Sequence, residues 1–214
     1  MFTTNPSGRY TDPSQPWEDS GVVDDTILWD HFKQGNELAF TILYKRHVHR
    51  LYNYGMHTCR DKELVLDCIQ ELFARLWDRR ETVSSVGSVT FYLIRSFRRL
   101  LLSKIIARKK LSTLLSGNAV AVFEFMPSVE DSIIDNESKK NQAENLQKCI
   151  KALSRRQREA IFLKFFNELS YHEVAVIMDL RVDSVYNLIS KAIDVLRRKL
   201  RTTIPFLLTA SILF

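Results

Sequence analysis

Residues 170–200 read SYHEVAVIMDLRVDSVYNLISKAIDVLRRKL. Ser170 followed three residues later by Glu173 is a capping box, so a helix starts at Tyr171. It is short, ending near Met178, and a break at Asp179–Arg181 separates it from a longer helix over 182–200. Two helices joined by a three- to four-residue turn are helix-turn-helix spacing. In the second helix Val185, Ile189, Ala192 and Leu196 fall at i, i+4, i+7 and i+11 and form the buried stripe. The other face carries Ser184, Asn187, Ser190 and Lys191, with Tyr186 nearby. Such hydrogen-bonding side chains read base edges in a major groove. Arg155, Arg156, Arg158 and Lys164 upstream, and the run Arg197, Arg198, Lys199 at the end of the second helix, are placed to grip phosphates.

Working outward, Ser154 with Gln157 is a second capping box, opening a helix over 155–167, and a further helix is expected over 132–152. Before it, residues 111–130 mix Ser, Gly and Asn with the apolar run VAVFEFM and Pro127, and read as a linker. The N-terminal half shows four helical segments. Asp24 or Asp25 caps a short one ending near Gly35, and 36–59 is the second. Asp61 caps the third, to about Arg80, with the apolar stripe Val65, Ile69, Leu72, Phe73 and Leu76. After a loop at Ser84–Ser88, the fourth runs from Val89 to Lys109 and buries Leu93, Phe97, Leu100 and Leu101. The expectation is an all-α chain of two helical domains, 23–110 and 131–202, joined by the 111–130 linker, with a mobile tail over 1–22 and an apolar tail over 203–214.

Two faces of the N-terminal block carry opposite chemistry. On the third helix Asp67, Gln70, Glu71 and Asp78 form an outward stripe, which repels nucleic acid and suits a basic protein surface. On the fourth, Arg95, Arg98 and Arg99 lie within about 100° of one another, followed by Arg108, Lys109 and Lys110, with Phe91 and Tyr92 at its start. Cations beside aromatics suit single-stranded nucleic acid, phosphates on the cations and bases on the rings.

Composition agrees. The 214 residues are 45% hydrophobic and 26% charged, which is ordinary globular usage, and only 6 Gly and 5 Pro favour helices over a turn-rich β fold. The net charge of +6 is unevenly spread: residues 1–110 hold +4, 111–144 hold −4 and 145–214 hold +6. Two basic blocks flanking an acidic connector fit two nucleic-acid-facing domains. Cys59, Cys68 and Cys149 are odd in number and form no CxxC, so no disulfide framework is indicated, and the thiols read as small buried hydrophobes. His47, His49, His57 and Cys59 are close in sequence, but His47 and His49 face away from each other on a helix, which argues against a metal site. There is no Walker loop, HExxH, GxSxG or GxGxxG, so no enzyme, cofactor or small-molecule substrate is expected. With no signal-like segment at the start and no run long enough to span a bilayer, a cytoplasmic protein is expected.

AFTILYKRHVHRLYNYG (39–55), LDCIQELFARLWDRR (66–80), TFYLIRSFRRLLLSKI (90–105), ALSRRQREAIFLKFFNELSYHEVAVIM (152–178) and VDSVYNLISKAIDVLRRKL (182–200), in this order, resemble regions 2 and 4 of bacterial RNA polymerase sigma factors of the sigma-70 family. The resemblance is to the compact extracytoplasmic-function (ECF) subgroup, and the wording VYNLISKA (185–192) is similar to members common in Bacteroidetes-type bacteria. It implies a transcription initiation factor whose stripe of Asp67, Gln70, Glu71 and Asp78 docks on the β′ clamp of core RNA polymerase. Region 4 would meet the β flap. The fourth helix, with Phe91, Tyr92, Arg95, Arg98, Arg99, Arg108 and Lys109, would bind and melt the −10 element. Arg155, Arg156, Arg158, Ser184, Tyr186, Asn187, Ser190, Lys191, Arg197 and Arg198 would serve the −35 element. A membrane-linked anti-sigma factor is a further implied partner, able to hold the protein at the inner membrane. The chain departs from the family at Tyr92, Arg99, Ser103, Asp179 and Leu188, where relatives commonly carry Trp, Asn, Asp, Gly and a basic residue. The rival reading of the same residues is a free-standing helix-turn-helix regulator, which shares 170–200 but has no need of the acidic stripe.

Overall fold

The computed structural model describes residues 23–115, 149–150 and 152–210, with side chains over 23–108, 149–150 and 152–199. The 1–22 tail, most of the linker and the 132–148 part of the expected fifth helix lie outside the described residues. The architecture is all-α, with no strand among the described residues. Among the described residues the α-helices are α1 (Asp25–Lys33), α2 (Glu37–Thr58), α3 (Lys62–Asp78), α4 (Val89–Leu115), α5 (Arg155–Ile161), α6 (Tyr171–Met178) and α7 (Val182–Ala210). A π-helical turn, Phe162–Phe166, continues α5 where an unbroken α-helix to 167 was expected. Two other ends run further than their punctuation suggested: α4 continues five residues into the expected linker, and α7 through ten residues past Leu200.

The first block is α1 to α4. Asp24 accepts from the Thr26 amide at 2.7 Å, Asn36 from Ala39 at 2.9 Å and Asp61 from Leu64 at 2.9 Å, so each start is fixed by a side-chain oxygen on an orphan amide. Val65, Ile69, Leu72, Phe73 and Leu76 are all buried, as is the expected α4 stripe except Leu100, which is half-buried. Trp29 is fully buried and donates its indole N–H to the Ser84 carbonyl at 3.1 Å, which ties the α3–α4 loop to α1. Asp25 ties α1 to α2: it accepts from Arg46 at 2.8 Å and stands 2.7 Å from the buried His47 ring. Cys59, Cys68 and Cys149 are free and buried.

Gly55 sets how closely α2 approaches its neighbours. A Cβ there would stand 2.7 and 2.9 Å from the two methyls of Val65 on α3 and 3.1 Å from the Phe97 ring on α4. Val65 is β-branched and fully buried, so it has no rotamer to retreat into.

The second block is α5 to α7. Both expected capping boxes form, Ser154 with Gln157 and Ser170 with Glu173. Asp179 closes α6 in the left-handed region at φ 55°, which a short polar side chain tolerates. Val185, Ile189 and Ala192 are buried and Leu196 is half-buried. The blocks are in contact. Phe162 lies edge-on to the buried His57 ring of α2 at 4.4 Å and 6.1 Å from the Tyr54 ring. Two changes test this core. Gly55→Ala forces Val65 or Phe97 to move, and urea melts should show a loss of about 1–3 kcal/mol, as for other overpacked cores. Burial pushes His57 down from 6.5 to about 4, so between those values the unfolded chain binds a proton that the native chain refuses. Its share of stability is complete above pH 6.5 and falls as the pH drops, by about 3 kcal/mol at pH 4. His57→Leu should flatten that part of the stability–pH curve; His47, shifted down chiefly by burial, leaves a smaller slope of the same sign.

Candidate nucleic-acid and protein interfaces

The helix-turn-helix face is built by α6 and α7. Val185, Ile189 and Ala192 turn inward, so Ser184, Asn187, Ser190 and Lys191 are left in solvent. Tyr186 is 51% exposed, unusual for a large ring, and it is held. The Tyr171 ring stacks on it with centroids 3.9 Å apart at 17°, and the Lys164 ammonium stands 4.8 Å from the Tyr171 centroid. Lys164 donates to the Leu169 carbonyl at 3.1 Å. The π-helical turn supplies Lys164, and Glu168 then reverses the chain at φ 58° into the Ser170 cap. Tyr171 was invisible as a functional residue because nothing local relates it to Tyr186. Of the phosphate candidates, Arg155, Arg156, Arg197 and Arg198 are exposed. Arg198 donates to the Asp194 carbonyl at 3.4 Å. Arg158 turns back to the Leu153 carbonyl at 2.7 Å, and burial with the neighbouring Arg155 draws its guanidinium below the usual value.

The acidic stripe follows α3. Asp67, Gln70 and Asp78 are exposed. Glu71 is engaged: Lys104 of α4 reaches it at 2.5 Å, and Arg75 pairs with it one turn along. The hydrogen bond from Lys104, then the charges of Lys104 and Arg75, hold the Glu71 carboxyl below the usual carboxylate range. The stripe therefore presents less free charge than its sequence suggests.

The basic face of α4 is divided by the fold. Arg99 is exposed. Arg108 bonds Asp61 at 2.6 Å, and the side chain of Lys109 lies outside the described residues. Arg95 stands 5.8 Å over the Phe91 ring, and its Nε is buried with no partner. Tyr92 is half-buried, edge-on to Trp29 at 5.0 Å. Arg98 leaves this face for the second block: its Nε donates to Glu159 Oε1 at 2.9 Å, where the Tyr54 phenol also donates at 2.9 Å. Burial alone would lower Arg98, but the Glu159 carboxylate and Tyr54 reverse the sign and raise it. Tyr54 is raised by its burial and then by the Glu159 charge.

Between α3 and α4 lies a cleft of about 170 Å³. It is lined by the apolar Leu72, Leu76 and Leu100 together with Arg75, Arg79 and the Tyr92 ring. No sequence motif marks it, since its walls come from residues 72–100 on two helices and a loop. Among the described residues no three His, Cys, Asp or Glu side chains gather as metal ligands, and no helix is long and apolar enough to cross a membrane.

Comparison with known proteins matches the model of sigma-70 region 2 over residues 43–110 and that of sigma-70 region 4 over 143–195. Together the two span more than half of the chain. The chain belongs to the sigma-70 family. A search of curated proteins finds no match. Among solved structures, CnrH in complex with the cytosolic domain of CnrY is 19% identical, covers 83% of this chain and 97% of that one, and has a TM-score of 0.53. The sigma factor RpoE in complex with the anti-sigma factor NepR from Bartonella quintana is 18% identical, with 80% and 98% covered and a TM-score of 0.53. At such identities the likeness concerns the fold, and it extends over both blocks of this sigma-70 chain.

The αL turn of this site gives a local test. Asp179→Val places a β-branched residue at positive φ and should cost about 1–3 kcal/mol, whereas Asp179→Gly should be neutral or stabilising; thermal melts distinguish them.

Proposed function

We propose that this protein is a transcription initiation factor of the ECF type, which binds core RNA polymerase and directs it to its own promoters. The observation that carries the reading is the pairing, in one chain and in this order, of a region 2 block bearing an acidic stripe and a region 4 block bearing an exposed helix-turn-helix face. The likeness of the VYNLISKA run to members common in Bacteroidetes-type bacteria supports placing it in that subgroup.

In this reading 23–110 and 131–202 are the working domains and 111–130 is the connection between them. Asp67, Gln70, Glu71 and Asp78 dock on the polymerase β′ clamp, where opposite charge steers encounter, and the second block meets the β flap. Helix α7 enters the major groove of the −35 element: Ser184, Asn187, Ser190 and Lys191 face base edges, and the Tyr186 ring offers apolar contact to a thymine methyl. Arg155, Arg156, Arg158, Arg197 and Arg198 fix its position on phosphates. Helix α4 takes the unpaired −10 strand through Phe91, Tyr92, Arg95, Arg98, Arg99, Arg108 and Lys109. The α3–α4 cleft would offer apolar lining to an extruded base, and the two guanidinium groups in that lining would meet the flanking phosphate. RpoE, whose fold this chain resembles, is a sigma factor in complex with the anti-sigma factor NepR, which supports an anti-sigma factor as the controlling partner; its link to the membrane is what the family resemblance implies. The protein acts in the cytoplasm or held at the inner membrane through that partner.

The test is transcription in vitro with purified core polymerase and a pool of genomic promoters, with and without the protein. New start sites that depend on it establish the reading and give the promoter sequence. Silence, together with tight specific duplex binding by the protein alone, establishes the free-standing regulator instead. Asp67→Arg with Asp78→Arg should abolish capture of core polymerase in a pull-down while leaving the melting temperature within about 1 °C, as both positions are exposed. Asn187→Ala with Lys191→Ala should change the preferred −35 sequence in a promoter library without weakening that capture. Tyr171→Leu should relax preference at one −35 position about as far as Tyr186→Ala does, and Tyr171→Phe, which keeps the stack, should not.

A further inference from the structure

We propose that Glu159 closes the two blocks on each other by occupying Arg98, so that the second block and single-stranded nucleic acid compete for one guanidinium. The proposal rests on the reading of Arg98 as a strand-binding residue. The contacts along α4 are selective: Arg99, one residue on, is exposed, while Arg98 is drawn across the seam to α5. The side chains of the pair are 20% and 10% exposed, so both charges have left most of their water. A carboxylate in such a place must be answered by donors, and Glu159 Oε1 receives two, from Arg98 and from the fully buried Tyr54.

The seam around this cluster is apolar and belongs to both blocks. Phe162 packs on His57 and Tyr54, and Phe97 of α4 lies 6.4 Å from the same Tyr54 ring. Closing therefore combines a hydrophobic contact with a charge-assisted hydrogen bond whose donor is the Nε–H that a phosphate oxygen would accept from. Opening costs the apolar contact, but the ionic part is exchanged: Glu159 returns to water and Arg98 takes a phosphate. The apparent affinity for a single strand is then the intrinsic affinity multiplied by the open fraction. Anything that separates the blocks raises strand affinity, and strand binding favours separation to the same extent.

The experiment uses the full chain. Dyes on Lys45→Cys and Lys191→Cys, two exposed positions, report the distance between blocks by energy transfer, the natural cysteines being buried. A fluorescein-labelled single-stranded DNA 20-mer of mixed sequence reports binding by anisotropy. Glu159→Ala should lower energy transfer and tighten binding by about fivefold or more, the gain expected if four-fifths or more of the chains are closed. Arg98→Gln in the Glu159→Ala background should remove the gain. Arg98→Glu with Glu159→Arg should restore energy transfer. Tyr54→Phe, which keeps the ring and the ion pair, should give a smaller change of the same sign in both readouts, and circular dichroism checks that every variant is folded. Unchanged energy transfer in folded Glu159→Ala overturns the closure. Lower transfer with no tightening, while Arg98→Gln still weakens binding, overturns the competition. Should Arg98→Gln leave strand affinity unchanged in the open background, the strand-binding role of Arg98 fails and the competition falls with it, a result told from the previous one by that variant alone.

Discussion

A carboxylate held among aromatic rings must find its counter-charge within reach, and Glu159 finds it on the other block. That constraint decides how the two halves of this chain sit. Helix α2 is the hinge of the arrangement. At Gly55 it approaches α3 and α4 more closely than any Cβ would permit, and one residue earlier Tyr54 reaches outward to α5. The two neighbours serve opposite ends: Gly55 makes the first block compact, and Tyr54 joins that block to the second. The faces left in solvent follow from this choice. Asp67 and Asp78 on α3, and Asn187 and Lys191 on α7, are exposed while the seam is closed, whereas Arg98 is not. In the proposed reading, the closed protein keeps its polymerase contact and its duplex reader available and withholds part of its strand-binding face.

Local physics made most of the fold legible. The α3 stripe, the inner face of α7 and both capping boxes came directly from periodicity and spacing, because each depends on residues within one or two turns. The αL tolerance of aspartate made Asp179 acceptable in the turn, and the backbone there adopts that conformation. The π-helical turn at Phe162–Phe166 was not legible: its apolar spacing reads as ordinary α-helix, and what departs is a hydrogen-bond register that no side chain announces. The extensions of α4 to Leu115 and α7 to Ala210 were missed because their punctuation is weak, the first running into Ser and Thr and the second past Pro205.

The candidate sites were legible as surfaces and not as contacts. Helical spacing placed Ser184, Asn187, Ser190 and Lys191 on one face, and they share it. It also grouped Arg95, Arg98 and Arg99, which geometry then separates. Arg98 is 61 residues from Glu159 and Tyr54 is 105 residues from it, and no one-dimensional pattern encodes pairings at that range. The same holds for Glu71, whose charge is met by Lys104 from the next helix. The stripe thus combines exposed carboxylates, free to meet a basic partner, with one that already braces α3 against α4.

The family departures acquire physical content in this frame. Tyr92, where relatives commonly carry Trp, sits edge-on to Trp29 and lines the α3–α4 cleft, so in the proposed reading a smaller ring there would alter the shape offered to a base. Ser103, where relatives commonly carry Asp, donates its hydroxyl to the Leu100 carbonyl at 2.7 Å, so it is satisfied within its own helix. Arg99 adds a cation where relatives have an amide. Leu188, where relatives commonly carry a basic residue, is half-buried beside the exposed face of α7 and contributes packing. In the proposed reading, each change would shift weight from a specific polar contact to shape or to unspecific charge. In the proposed reading, less discrimination by α4 would leave more of the promoter choice to α7, where the Tyr171 ring, itself under Lys164, stacks on Tyr186.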